Sequence, residues 1–162
     1  MSENSTNDTS RREFLKTTSR IAVASAIVGA TVPRVHAAEN NTLQVALIGC
    51  GGRGTGAAAD AMSVKQGPVK LVAMSDIFED RVASSYANLD KRFGERMDVP
   101  EDRRFVGFDG YKKAMDCLKP GDIAIFATPL AFRWVNFAYA VQKGLHVFME
   151  KPVTMKTSSA EK

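Results

Sequence analysis

The stretch Leu43-Gln44-Val45-Ala46-Leu47-Ile48-Gly49-Cys50-Gly51-Gly52-Arg53-Gly54 is an apolar run that feeds directly into a cluster of glycines. The run reads as a buried strand, and the glycines follow the G-x-G-x-x-G spacing at which a phosphate-binding turn opens a helix. Each glycine has its own task. Gly49 permits a tight turn out of the strand, Gly51 lacks the β-carbon that would keep a pyrophosphate from the backbone, and Gly54 lets the next helix pack close to the sheet. Amide N–H groups and the helix dipole at that N-terminus bind phosphate without a cationic side chain. The spacing alone fits a flexible loop equally well, so the surrounding chain decides.

A helix is expected from Thr55 to about Val64, with Ala57, Ala58, Ala59, Ala61 and Met62 toward the sheet and Gly67-Pro68 as its breaker. A second apolar run, Val69 to Met74, ends in Ser75-Asp76, 22 positions after Gly54. A carboxylate at that distance accepts hydrogen bonds from the adenosine ribose hydroxyls. Asp76 also suits the N-cap of a helix starting near Phe78, and the two roles are compatible. Gly49, Gly51, Gly52, Arg53, Gly54 and Asp76 thus form the expected nucleotide site. A carboxylate there repels a 2′-phosphate, which leans the site toward NAD and leaves NADP open. Arg53 and Arg81 could each hold a phosphate in a forked grip; alternatively Arg53 points outward and Arg81 lies on a solvated face.

Beyond Asp76, apolar residues at three- and four-residue steps predict an amphipathic helix over Glu79 to Phe93. Gly94 to Arg104 reads as a charged surface loop, Phe105 to Phe108 as a short apolar strand, and Tyr111 to Leu118 as a helix ended by Lys119-Pro120-Gly121. Asp122 to Ala127 is a continuous apolar strand, the pattern of a parallel strand covered on both faces. Thr128-Pro129 stops it, a helix follows from Phe132 to Lys143, and a fifth strand occupies His146 to Met149. This alternation predicts an α/β fold, a doubly wound parallel sheet with strand order 3-2-1-4-5. Ligands of such sheets lie beyond the carboxyl ends of the strands, where the glycines, Asp76, Thr128-Pro129 and Glu150-Lys151-Pro152 all fall.

Ahead of this domain, Ser10-Arg11-Arg12-Glu13-Phe14-Leu15-Lys16 matches a twin-arginine export signal, followed by the mildly apolar Ile21 to Val32 and the small-residue site Val35-His36-Ala37. About 12 apolar residues are too few to span a bilayer, which takes about 20. Residues 1–37 are therefore set apart from the fold as an export signal, with an uncleaved tail or an ordinary secretory signal as the alternatives. The mature chain, residues 38–162, is expected to be periplasmic or exported, without a stable membrane anchor after cleavage. Five of the 22 basic residues and three of the 18 acidic ones lie in the signal, leaving 17 against 15. That near-balance, with no interleaving of basic and aromatic residues, argues against nucleic-acid binding. Cys50 and Cys117 have no metal-ligand spacing and read as free thiols rather than a bridge; no metal is expected.

The ordered set of VALIGCGGRG, the acidic end of strand two, Ala127-Thr128-Pro129 and Glu150-Lys151-Pro152 resembles the N-terminal, Rossmann-like half of Gfo/Idh/MocA oxidoreductases. The resemblance runs from Leu43 to the C-terminus. It implies that Lys151 projects toward the nicotinamide and the substrate hydroxyl, and that Thr128-Pro129 contacts the cofactor. It further implies that Glu150 belongs to the same site and that Pro152 can carry a non-trans bond. A lysine so placed can orient a substrate hydroxyl and stabilise its alkoxide before hydride loss; taken alone it would be a solvated strand-end lysine. Arg133 stands where many members have histidine, and a second α/β substrate domain has no counterpart here. The expectation is the NAD(P)-binding half of an enzyme transferring hydride to or from a sugar-like or polyol hydroxyl. Nucleotide would bind without efficient turnover, and oligomers would form only with the missing domain. The alternatives are half of an NAD-dependent glycosidase and a non-catalytic nucleotide-binding module.

Overall fold

Val45 to Ile48 are all buried, so the first strand, β1 (Leu43–Ile48), is covered on both faces, as an apolar run without alternation requires. In the computed structural model, which describes residues 41–152, it is the central strand of a five-stranded sheet. The helix α1 (Gly52–Met62) leads to β2 (Val69–Asp76), and α2 (Glu79–Phe93) to β3 (Arg104–Val106). The helix α3 (Gly110–Asp116) then crosses to β4 (Ile123–Phe126), and α4 (Leu130–Gln142) to the edge strand β5 (His146–Met149). All pairings are parallel and the order is β3-β2-β1-β4-β5, as expected. The expected export signal, residues 1–37, lies outside the described residues.

Two apolar layers hold the sheet. Val45 and Leu47 point to the layer that contains Ala58, Ala59 and Met62 of α1 and Val82 and Leu89 of α2. Ala46 and Ile48 point to the opposite layer, with Ala114 and Met115 of α3 and Ala140 of α4. In β2 the alternation breaks: Val45 pairs with Leu71 but Ala46 with Ala73. Val72 is the extra residue, so Val72 and Ala73 both face the second layer before Met74 returns to the first. Such an irregularity restores the phase of each side chain at the strand end, and here it sets where Asp76 stands.

The structure departs from expectation at several boundaries. The first helix starts at Gly52 rather than Thr55, which puts Gly52 and Gly54 inside its opening turn. The segment from Gly94 to Arg104 is not a mere surface loop. Val99 is buried, Met97 bridges to Leu71, and two 3-10 turns fold the chain over the sheet edge. Arginines fasten it: Arg96 donates to the carbonyls of Met62 and Val64, and the Arg104 guanidinium lies 3.4 Å from the centre of the Tyr86 ring while bonding Val99 O. The third strand ends at Val106, and Phe108 is left largely exposed. Cys117 caps α3 rather than lying within it, and both cysteines are free.

Candidate functional site

The turn after β1 is held by contacts that leave room for nothing but hydrogen at two positions. Gly49 has φ +96°, and a β-carbon on it would stand 2.8 Å from the Ala127 carbonyl carbon. A β-carbon on Gly54 would stand 1.8 Å from Gly49 O, so the opening turn of α1 sits directly against the end of β1. Gly51 and Gly52 are different. Neither would meet any atom within 4 Å, and Gly51, the N-cap, has an ordinary φ of −68°. These two glycines border open space at a helix N-terminus that has neither a side-chain cap nor an acidic residue in its first turn. That is the cradle a pyrophosphate requires, and the residues present fit one.

Asp76, at the carboxyl end of β2, is 9% exposed and accepts two backbone hydrogen bonds: Cys50 N at 2.7 Å on Oδ2 and Phe78 N at 3.1 Å on Oδ1. One bond fixes the glycine turn; the other shapes the turn into α2. Phe78, not Asp76, is the N-cap of that helix. Each carboxylate oxygen retains a further lone pair, so both can still accept from a ligand. Cys50 is sealed beneath the turn, its Sγ directed to Ser75 O at 3.4 Å. Burial, and secondarily the charge of Asp76, pushes its thiol up to about 12.

A cleft of about 330 Å³ runs from Gly49, Gly51 and Asp76 to Thr128 and Pro129, with Phe78, Arg81 and Phe132 among its walls. Arg81 stacks on Phe78, 4.8 Å from the ring centre, and so stands at the Asp76 end. Arg53 does not. Its guanidinium leaves that end of the turn and pairs with Glu150 at 2.8 Å, just beyond β5. The hydrogen bond from Arg53 holds the Glu150 carboxyl below the usual range. Glu150 is thus occupied with the glycine turn, and Arg53 belongs to the far end of the site.

Thr128-Pro129 and Glu150-Lys151-Pro152 come together through a residue that sequence reasoning noted only as a departure. Arg133, buried in α4, donates to Thr128 O at 2.7 Å, to Pro152 O at 2.8 Å and to Glu150 O. Asn136, also buried, donates to Thr128 Oγ1 at 3.2 Å. The signal was present. Arg133, Asn136 and Ala140 recur at three- and four-residue steps, so the helix face that must be buried carries two polar groups that require partners. Lys151 is exposed, and its bond to Pro152 is cis.

No family model and no curated protein matches the chain. Solved structures do. A myo-inositol 2-dehydrogenase from Lactobacillus plantarum shares 24% identity at a TM-score of 0.51, over 72% of this chain and 30% of that one. A myo-inositol dehydrogenase from Corynebacterium glutamicum shares 21% at 0.50, over 71% and 29%. An aldose-aldose oxidoreductase from Caulobacter crescentus shares 19% at 0.50, over 70% and 30%. The match spans less than a third of each of these proteins. At such identities the likeness is one of fold: a Rossmann-like α/β domain with a five-stranded parallel sheet, of the kind these dehydrogenases contain.

Proposed function

We propose that this chain is the cofactor-binding part of a Gfo/Idh/MocA oxidoreductase, using NAD in preference to NADP to move hydride to or from a sugar-like or polyol hydroxyl. The observation that supports it most is the pair Gly51 and Gly52, bordering open space beside a buried carboxylate that can still accept hydrogen bonds. The inositol and aldose enzymes of the same fold point to the substrate class.

In this reading the α1 amides take the pyrophosphate, Asp76 takes the adenosine ribose, and Thr128 and Pro129 line the path to the reactive end. The nicotinamide supplies a hydride acceptor or donor when bound. Lys151 stands beyond β5 as the group that orients a substrate hydroxyl and stabilises the alkoxide formed there. Glu150 keeps Arg53 at that end. Residues 38–162 would bind nucleotide without efficient turnover, because Lys151 alone cannot fix a substrate in a reactive geometry. Loading before export through a twin-arginine route suits a cofactor made in the cytoplasm.

Calorimetric titration of the full chain with NAD and NADP tests the reading, alongside Gly51→Val. The backbone at Gly51 accepts a side chain and nothing crowds it, so the variant keeps the fold while filling the cradle. Saturable binding, tighter for NAD and abolished by Gly51→Val, is expected. Binding that survives the valine would sink the proposal.

A further inference from the structure

Arg133 is 8% exposed, and among the described residues its hydrogen bonds go to backbone carbonyls. Those oxygens belong to two loops: Thr128 at the end of β4, and Glu150 and Pro152, the residues on either side of Lys151. Bonds from a charged donor are stronger than neutral ones, and the planar guanidinium fork can reach several acceptors at once where an ammonium is a point donor. The position of Arg133 is itself fixed, because α4 is tied down one turn later by Asn136 on Thr128 Oγ1. The turn that lines the cleft and the loop that presents Lys151 are therefore fastened to one side chain. Glu150 is also held by Arg53 at 2.8 Å and by its own N–H on Phe126 O at 3.0 Å, whereas Arg133 ties the residues on both sides of the exposed Lys151.

We propose that Arg133 is the positioning residue that sets Lys151 against the nicotinamide end of the dinucleotide site. This rests on the function proposed above and adds a residue that acts through another. Arg133 lies on the far side of the cleft from Asp76, so its effect belongs to one half of the ligand. Loss of the fork should release the Lys151 loop while the phosphate cradle and the adenosine end remain intact.

The test compares NADH with ADP-ribose, which lacks the nicotinamide, on the full chain by fluorescence and calorimetry. NADH is chosen because its ring is uncharged and a lysine does not repel it. The wild-type chain should bind NADH about tenfold more tightly than ADP-ribose, the scale of one charge-assisted hydrogen bond. Arg133→Ala and Lys151→Ala should each bring NADH down to the ADP-ribose level and leave ADP-ribose unchanged, the double variant should go no lower, and Arg133→Lys should recover part of the difference. A wild-type preference for NADH that persists in Arg133→Ala overturns the proposal, as does an equal loss for both ligands, the mark of a residue that only supports the fold. Should Arg133→Ala fail to fold, Arg133→Lys makes the same comparison, and an unchanged preference there overturns it equally. A wild-type chain that binds neither nucleotide overturns the functional reading itself, which separates the two failures.

Discussion

Gly51 and Gly54 stand three residues apart in one turn, yet their hydrogens face opposite constraints. A methyl group on Gly54 would collide with Gly49 O, an atom that cannot move without displacing the end of β1. Gly54→Ala is therefore expected to cost about 3 kcal/mol or more in urea unfolding. Gly51→Ala should lie within about 1 kcal/mol of the wild type, the entropy it removes from the unfolded chain offsetting a poorer N-cap. Equal destabilisation by the two would mean that the turn is not built as described. Beneath that turn Cys50 makes stability depend on alkali. Its thiol is pushed from the ordinary 9.0 to about 12 by burial first and by Asp76 second. The unfolded chain then releases this proton at a pH where the folded chain keeps it, so the contribution is complete below pH 9 and is lost as pH rises toward 12. The urea midpoint should fall over that range, and more steeply than in Cys50→Ala. Parallel curves for the two proteins would refute the assignment.

Among the elements, what could be read in the sequence was whatever one residue's chemistry dictates locally. The apolar runs of β1 and β4, the breaker at Gly67-Pro68 and the glycine fingerprint each act within a few residues, and the strand order followed from their alternation with helices. The phase of β2 could not be read, because the displacement at Val72 depends on pairing with β1 rather than on any turn-forming residue. The segment from Gly94 to Arg104 misled for a similar reason. Its charges look solvated in sequence, but Arg96 and Arg104 spend theirs on carbonyls of distant or neighbouring segments, and Val99 is drawn under them. Arg53 and Arg133 show the same limit within the site. Both are visible as cations near the strand ends, and only the packing of α1 and α4 reveals that one meets Glu150 while the other joins two loops. Asp76 was legible by its distance from the glycines; its two backbone partners were not.

For the molecule as a whole, the outer face of α4 is unusually apolar for a helix on the surface. Trp134, Phe137 and Val141 follow one another at helical spacing and are 71%, 44% and 56% exposed. Phe148, on the edge strand β5, is exposed as well, but on the other side of the sheet, beside α1. Contiguous apolar surface such as that of α4 attracts dyes, partners or other copies of a chain, since covering it removes area from water. Trp134 reports on it directly, because it is the sole tryptophan in the sequence. Its emission in the folded protein should match that of tryptophan in water, and unfolding in urea should shift it little, although the helical signal is lost. Trp134→Glu should leave the free energy of urea unfolding within about 0.5 kcal/mol of the wild type, as for surface changes generally, while lowering the binding of an apolar dye. A blue-shifted native emission that moves to the red on unfolding would show that this face is covered in solution, and the variant would then lose stability instead of only dye.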